Sequence, residues 1–241
     1  MRTTTACLML ALVLAGQLAA ETPAKLKYEP TSDYTRQNIH GWPVYVNNRL
    51  LNEKKELGNE ALELLRVKLY EINRAVPRTT LERLHKIPIW MEYKDRRCPC
   101  ACYHPSKEWL TANGYNPEKA RSVEIANAAT FLNWTHIQPS MVLHELAHAY
   151  HHQVLGHGHP GIRAAYKHAC QSKSYEAVLH YAGKTGRAYA MNNPKEYFAE
   201  LTEAWFGTND FFPFVRPEVI QHDPQMAKVL ENVWGCPDCD R

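Results

Sequence analysis

After its first 20 residues the chain has no apolar run long enough to cross a membrane, and it has no block of basic residues. A spanning helix needs about 20 apolar residues. The 28 lysines and arginines nearly balance the 25 aspartates and glutamates, so the formal net charge is only +3. Repeats and low-complexity tracts are also lacking. We therefore expect no nucleic-acid partner and no membrane attachment of the mature chain.

The one strongly apolar stretch lies at the extreme N-terminus, in MRTTTACLMLALVLAGQLAA. It has a single charge at Arg2, a short apolar core and small residues up to Ala20. This pattern predicts a secretory signal peptide over residues 1–20, and the alternative is an uncleaved N-terminal anchor. We expect a secreted or periplasmic protein. The remainder, about 220 residues, suffices for one domain.

The distribution of apolar residues predicts an α+β domain over residues 40–241, preceded by a polar, extended lead-in at 21–39. The sequence favours a small mixed sheet first and a helical half second. Predicted strands lie within 40–51, with a turn at 47–48, and at 87–93 and 123–134. The segment 94–121 is predicted to be loop-rich. Predicted helices lie at about 55–75, 140–154, 162–171, 174–182, 194–206 and 224–234.

Six cysteines follow the signal peptide, and an even number in an exported chain predicts disulfides. Pairing within CPCAC would strain the bond geometry, so we expect partners elsewhere, with the C-terminal GCPDC as the first choice. The alternative is a structural zinc site built from CPCAC and CPDC. The disulfide candidates are Cys98, Cys100, Cys102, Cys170, Cys236 and Cys239.

The segment MVLHELAHAYHH, residues 141–152, has the pattern of a zinc-binding helix. His144 and His148 are four residues apart, so on a helix both imidazoles lie on one face, one turn apart. Glu145 lies beside them, where a general base could reach a metal-bound water. The alternative is a helix whose histidines are only solvated or hydrogen-bonded.

A catalytic zinc needs a third protein ligand. The extended pattern with a glycine turn and a third histidine is absent, because position 151 is His and position 154 is Val. In NNPKEYFAELTEAWFG the residues Glu196, Glu200 and Glu203 lie on one face of a predicted helix, beside an apolar face. Buried carboxylates need a cationic partner.

We interpret Glu196 as the third metal ligand. Glu200, one turn on, would then accept a hydrogen bond from the outer nitrogen of a ligand histidine. The alternative is that Glu196 closes a capping box with Asn193, and that Glu200 and Glu203 form a solvated stripe.

HELAH, followed about fifty residues later by EYFAE, resembles the gluzincin metallopeptidases. It is most similar to the lethal-factor-like family, named for the catalytic domain of anthrax lethal factor. That family also has a tyrosine seven residues before its ligand glutamate, and Tyr189 occupies this position here. The resemblance covers roughly residues 140–207. It implies a zincin-like fold.

The same resemblance implies that His144, His148 and Glu196 bind one catalytic zinc and that Glu145 activates water. It implies that Tyr189 donates a hydrogen bond to the developing oxyanion, or rests on the metal when no substrate is bound. The chain is too short for the delivery and docking domains of the toxin, so neither the toxin's role nor its substrate is transferred.

These observations together predict a secreted, monomeric zinc metallopeptidase, an endopeptidase that acts on a peptide or protein substrate. Such enzymes bind the substrate along an edge strand, and we expect that strand at Ala126, Asn127 and Ala128. One alternative is a catalytically silent protein that keeps the zinc site for binding. Another is a metal-sequestering protein built on HAYHHQVLGHGH.

Overall fold

The structure, a computed structural model, describes residues 28–95 and 97–235. The predicted signal peptide lies outside the described residues, as do Cys236 and Cys239. The predicted α+β class is confirmed, because a small mixed sheet is combined with a larger set of helices. No helix among the described residues is both long and apolar enough to cross a membrane.

Seven strands and ten α-helices follow one another along the described chain. In chain order they are β1 (Tyr34–Ile39), β2 (Trp42–Asn47), α1 (Asn48–Asn52), α2 (Lys55–Ala75), α3 (Arg78–Leu84), β3 (Ile89–Met91), β4 (Ala101–His104), α4 (Lys107–Ala112), β5 (Ser122–Ile125), α5 (Ala128–Trp134), α6 (Met141–Tyr150), α7 (Pro160–Ser172), β6 (Val178–Leu179), β7 (Thr185–Gly186), α8 (Pro194–Phe206), α9 (Arg216–His222) and α10 (Pro224–Trp234).

Five strands form one sheet in the order β1-β2-β3-β5-β4. β1 and β2 form an antiparallel hairpin, β2, β3 and β5 run parallel, and β4 is antiparallel to β5 at the opposite edge. The hairpin turns at His40 and Gly41, which both have positive φ. β1 therefore occupies part of the segment predicted to be a loose lead-in. Only its end residues, Tyr34 and Ile39, are buried, so its own sequence shows no alternating pattern.

The strand predicted over residues 123–134 is wrong in its second half. The apolar, β-branched run ends with β5, and Asn127 then caps a helix by accepting a hydrogen bond from the backbone N–H of Thr130. β5 lies between β3 and β4, so it is an interior strand. Ala126 and Asn127 follow it, and Ala128 already begins α5. The predicted edge strand at these three residues is therefore corrected to β4.

Two further segments differ from the expectation. The region predicted to be loop-rich, 94–121, contains β4 and α4. The helix predicted at 174–182 is instead a turn that leads into the small hairpin of β6 and β7. Both short elements owe their conformation to partners distant in the chain: β4 pairs with β5, and the bridge between His180 and Phe211 lies beside β6.

The helices that carry the motifs form where predicted. α6 is followed by a π-helical turn, His151–Leu155, so the helical path extends as far as expected. α8 begins at Pro194, capped by Asn193, and ends before Gly207. α6 packs against both α8 and β4. This packing brings two segments about fifty residues apart together beside the sheet edge.

Candidate metal centre

Three nitrogen and oxygen atoms meet between α6 and α8. His144 Nε2 lies 3.0 Å from His148 Nε2, and Glu196 Oε2 lies 3.2 Å from each of them. The three atoms thus form a nearly equilateral triangle. This group of residues could hold a metal ion, as the spacing of the sequence motif predicted.

The two helices position these side chains for different reasons. Eight of the ten residues of α6 are buried, so the helix is fixed in rotation and both histidines face α8. Asn193 caps α8 by accepting hydrogen bonds from the backbone of Lys195 and Glu196. The Glu196 carboxylate meets the histidines and does not return to Asn193. The reciprocal bond of a capping box is therefore not made.

The outer nitrogen of His144 has a partner that differs from the one expected. Nδ1 donates a hydrogen bond to Glu203, at 2.7 Å, whereas Glu200 lies 3.7 Å from the same nitrogen. Glu203 therefore has the role assigned to Glu200. Both carboxylates are buried, so they do not form a solvated stripe. The row of Glu196, Glu200 and Glu203 on one helix face indicated that a carboxylate would reach the histidine. Which of them does so depends on the rotation of α8 about its axis.

The carboxylates control the electrostatics of the centre. Burial alone would lower the pKa of His144, but hydrogen bonds to Glu196 and Glu203 outweigh it and hold that pKa well above 6.5. Burial would raise the pKa of Glu196, and hydrogen bonds to His144 and His148 lower it instead. Burial, reinforced by Glu203, raises the pKa of Glu200 well above its usual range. The centre therefore favours a positive charge between the helices.

A pocket of about 280 Å³ opens onto this centre. Besides the three candidate ligands its lining includes Glu145 and Tyr189, the two residues to which the sequence assigned catalytic roles. Tyr189 lies on a 3₁₀ turn, Tyr189–Asn192, which packs against α8. Burial and then the nearby Glu196 raise the pKa of the Tyr189 phenol, which therefore keeps its proton at neutral pH.

The edge strand β4 forms another wall of the pocket, through Ala101, Cys102 and Tyr103. Cys100 accepts a backbone hydrogen bond from Ala126 of the β5 segment. Because such bonds alternate along an antiparallel pair, the backbone groups of Cys102 also face β5. Those of Ala101 and Tyr103 then point away from the sheet, along its free edge.

The histidines after α6 have separate environments. His159 accepts a hydrogen bond from Ile162 at the start of α7, and His152 bonds to the hydroxyl of Tyr103. His151 is fully buried, and among residues 28–95 and 97–235 neither of its ring nitrogens has a hydrogen-bond partner. In the described part of the chain, no group of three potential ligand residues close enough to hold a metal includes His151, His152, His157 or His159.

Four of the six predicted disulfide cysteines are described, and all four are free thiols in the structure: Cys98, Cys100, Cys102 and Cys170. Cys98 and Cys100 are buried, and Cys100 lies 3.3 Å from the sulfur of Met141. Any pairing with Cys236 or Cys239 lies outside the described residues, so the disulfides involving the C-terminal segment stay a prediction.

Comparison with known proteins gives no family for the chain. No family model matches it, and neither a curated protein nor a solved structure is significantly similar.

Proposed function

We propose that this protein is a secreted zinc metallopeptidase with a zincin-like fold, acting as an endopeptidase on peptide or protein substrates. The observation that carries the proposal is the triangle of His144 Nε2, His148 Nε2 and Glu196 Oε2, with sides of 3.0–3.2 Å. It lies in a pocket that Glu145 and Tyr189 also line.

The donor set fits zinc. Imidazole nitrogens and a carboxylate oxygen at about 2.0–2.2 Å from a tetrahedral zinc would lie about 3.3 Å apart, close to the observed sides. Because Glu203 accepts the hydrogen of His144 Nδ1, Nε2 is the ring nitrogen that meets Glu196. The Glu196 carboxylate favours a cation at that nitrogen, either a proton or a metal ion. Three protein ligands leave a fourth position open, as catalytic zinc sites do.

In the proposed mechanism, a bound zinc would lower the pKa of a water molecule and polarise the carbonyl of the scissile peptide. Glu145 takes the proton from the attacking water and then delivers it to the leaving amine. Tyr189, protonated at neutral pH, donates a hydrogen bond to the oxygen of the tetrahedral intermediate. Glu203 keeps the His144 ring oriented throughout.

The substrate would lie along β4. An extended peptide can pair with the outward N–H and C=O groups of Ala101 and Tyr103, and so add a strand to the sheet. β4 and the catalytic side chains line one pocket. A peptide held in this way would therefore lie beside the position where Glu145 would activate the attacking water.

The test is cleavage of a mixed peptide library by the mature chain, with Glu145→Gln and a chelator-treated sample in parallel. We expect cleavage to fall at least about a hundredfold in both. Tyr189→Phe should lower kcat by roughly a hundredfold and change KM little, because the hydroxyl acts mainly in the transition state. The positions of the cuts would show whether internal bonds are cleaved.

Cleavage that survives both Glu145→Gln and the chelator would refute the assignment. Absence of cleavage, with one tightly bound zinc lost in Glu196→Ala, would favour a binding protein that uses the same centre. Several weak sites that do not depend on Glu196 would favour metal sequestration.

A further inference from the structure

A second group of metal-ligand side chains lies on the sheet, outside the proposed catalytic centre. Cys102 and His104 are two residues apart on β4, and Cys102 is directly opposite Glu124 on β5. Side chains two apart on a strand and directly opposite on its neighbour share one face of the sheet. Potential ligand atoms of these three residues all lie within 4.8 Å of one another. Cys98 is buried four residues before Cys102 and is not a member of this group.

We propose that Cys102, His104 and Glu124 bind a second, structural zinc ion. One thiolate, one imidazole and one carboxylate are all ligands that tetrahedral zinc accepts, and they leave its fourth position to a water molecule. The Cys102 thiol would release its proton to solvent on binding.

The distances suit this assignment. Cys102 Sγ lies 3.6 Å from His104 Nε2. Around a tetrahedral zinc, with a sulfur at about 2.3 Å and a nitrogen at about 2.0 Å, these two atoms would lie about 3.6 Å apart. His104 Nε2 hydrogen-bonds to Glu124 Oε2, and zinc would replace this bond with one contact to each partner. His104 and Glu124 are both buried, which favours a shielded site over a solvated one.

The surroundings hold the carboxylate in place. The other oxygen of Glu124, Oε1, accepts a hydrogen bond from Lys119, at 2.5 Å. Lys119 is itself buried and bonds to Glu92, which accepts a hydrogen bond from Tyr34. A ligand carboxylate whose free oxygen is hydrogen-bonded is the usual arrangement around protein-bound zinc. The ammonium group of Lys119 also offsets part of the negative charge of the thiolate and the carboxylate.

A disulfide between Cys98 and Cys102 is the competing outcome, and it is the one that export would favour. It would account for the two neighbouring thiols. It would not account for the imidazole of His104 and the carboxylate of Glu124, which converge on the same sulfur. The metal uses all three side chains of the group. It would also tie β4 to β5, and so fix the edge strand that lines the pocket.

The test uses the mature chain, purified without reductant, depleted of metal and reloaded with Co²⁺. Only a sulfur ligand produces a thiolate-to-cobalt charge-transfer band in the near ultraviolet, and the proposed catalytic centre has no sulfur ligand. We expect that band in the wild type, together with two metal ions per chain. His148→Ala should lower the content to one ion and keep the band, which separates this site from the proposed catalytic one.

Cys102→Ser should abolish the band and also leave one ion. Cys100→Ser and Cys170→Ser are the matched controls and should keep both the band and two ions. Because Cys102→Ser could fold poorly, the wild-type spectrum serves as a test that needs no variant. A wild type with one ion and no band overturns the proposal, whether its thiols are free or its mass shows the loss of two hydrogens expected for a disulfide.

Discussion

His151 offers a direct test of the electrostatics next to the candidate centre. It is fully buried at the start of the π-helical turn, and neither ring nitrogen has a hydrogen-bond partner in the part of the chain that the structure describes. Its ring packs against Phe198 at 5.0 Å and His157 at 5.2 Å. Burial, and then repulsion from His157, lower its pKa from 6.5 to about 3. The folded protein therefore keeps His151 neutral where the unfolded chain would charge it.

The sign of the effect follows from proton linkage. Above pH 6.5 the ring is neutral in both states and has no pH-dependent effect on stability. As the pH falls toward 3, the unfolded chain binds a proton that the folded protein does not, so stability is lost. The pKa of His151 is about 3 in the folded protein and 6.5 in the unfolded chain. Proton binding at His151 alone therefore lowers the free energy of unfolding by about 2 kcal/mol between pH 7 and pH 5.

The perturbation is His151→Phe, which keeps an aromatic ring of similar size and removes two unpartnered polar atoms. At pH 7 it should be neutral or stabilising, because no hydrogen bond is lost. Between pH 7 and pH 5 the free energy of unfolding of the variant should fall by about 2 kcal/mol less than that of the wild type. The assay is urea unfolding at several pH values, in chelator, so that metal release does not contribute. His168→Gln, at an exposed position on α7, is the control. Equal losses in the wild type and His151→Phe would refute the reasoning.

Two other substitutions test the hydrogen bond to His144 in the candidate centre and the close contact between α1 and α2. Glu203→Gln should weaken zinc binding by roughly ten- to a hundredfold in a chelator competition, whereas Glu200→Gln should change it less than about threefold. The reason is that Glu203, and not Glu200, hydrogen-bonds to Nδ1 of His144. Equal effects of the two substitutions would contradict the assignment. Gly58→Ala should lower the free energy of unfolding by at least about 1 kcal/mol, although alanine has the better helix propensity. The reason is that the new Cβ would lie 2.2 Å from the backbone oxygen of Leu50. Thermal melts would check this, with Gly158→Ala as the unhindered comparison, and a higher Tm for Gly58→Ala would contradict it.

The helices that carry the motifs could be predicted because their signals are local. The HExxH spacing, the cap at Asn193 and the apolar periodicity of residues 55–75 all act within a few turns of one chain segment. The same spacing arguments selected His144, His148 and Glu196, and the structure brings these three side chains together.

Errors arose where distant segments decide the conformation. β4 is a strand only because β5 is its neighbour, and the segment after β5 is a helix because Asn127 caps it. The position of a strand within a sheet is not encoded in its own residues. The edge strand was therefore sought at 126–128, whereas the structure has β4 at this edge of the sheet.

The sequence by itself determined the α+β class, the candidate metal-ligand triad and the helices that carry it, because helical periodicity and capping are properties of short segments. Only the tertiary structure decided that Glu203, rather than Glu200, bonds to His144, because that choice depends on the rotation of α8 against α6. It also decided that Cys102 and His104 meet Glu124, because strand pairing joins residues that are about 20 positions apart in the chain.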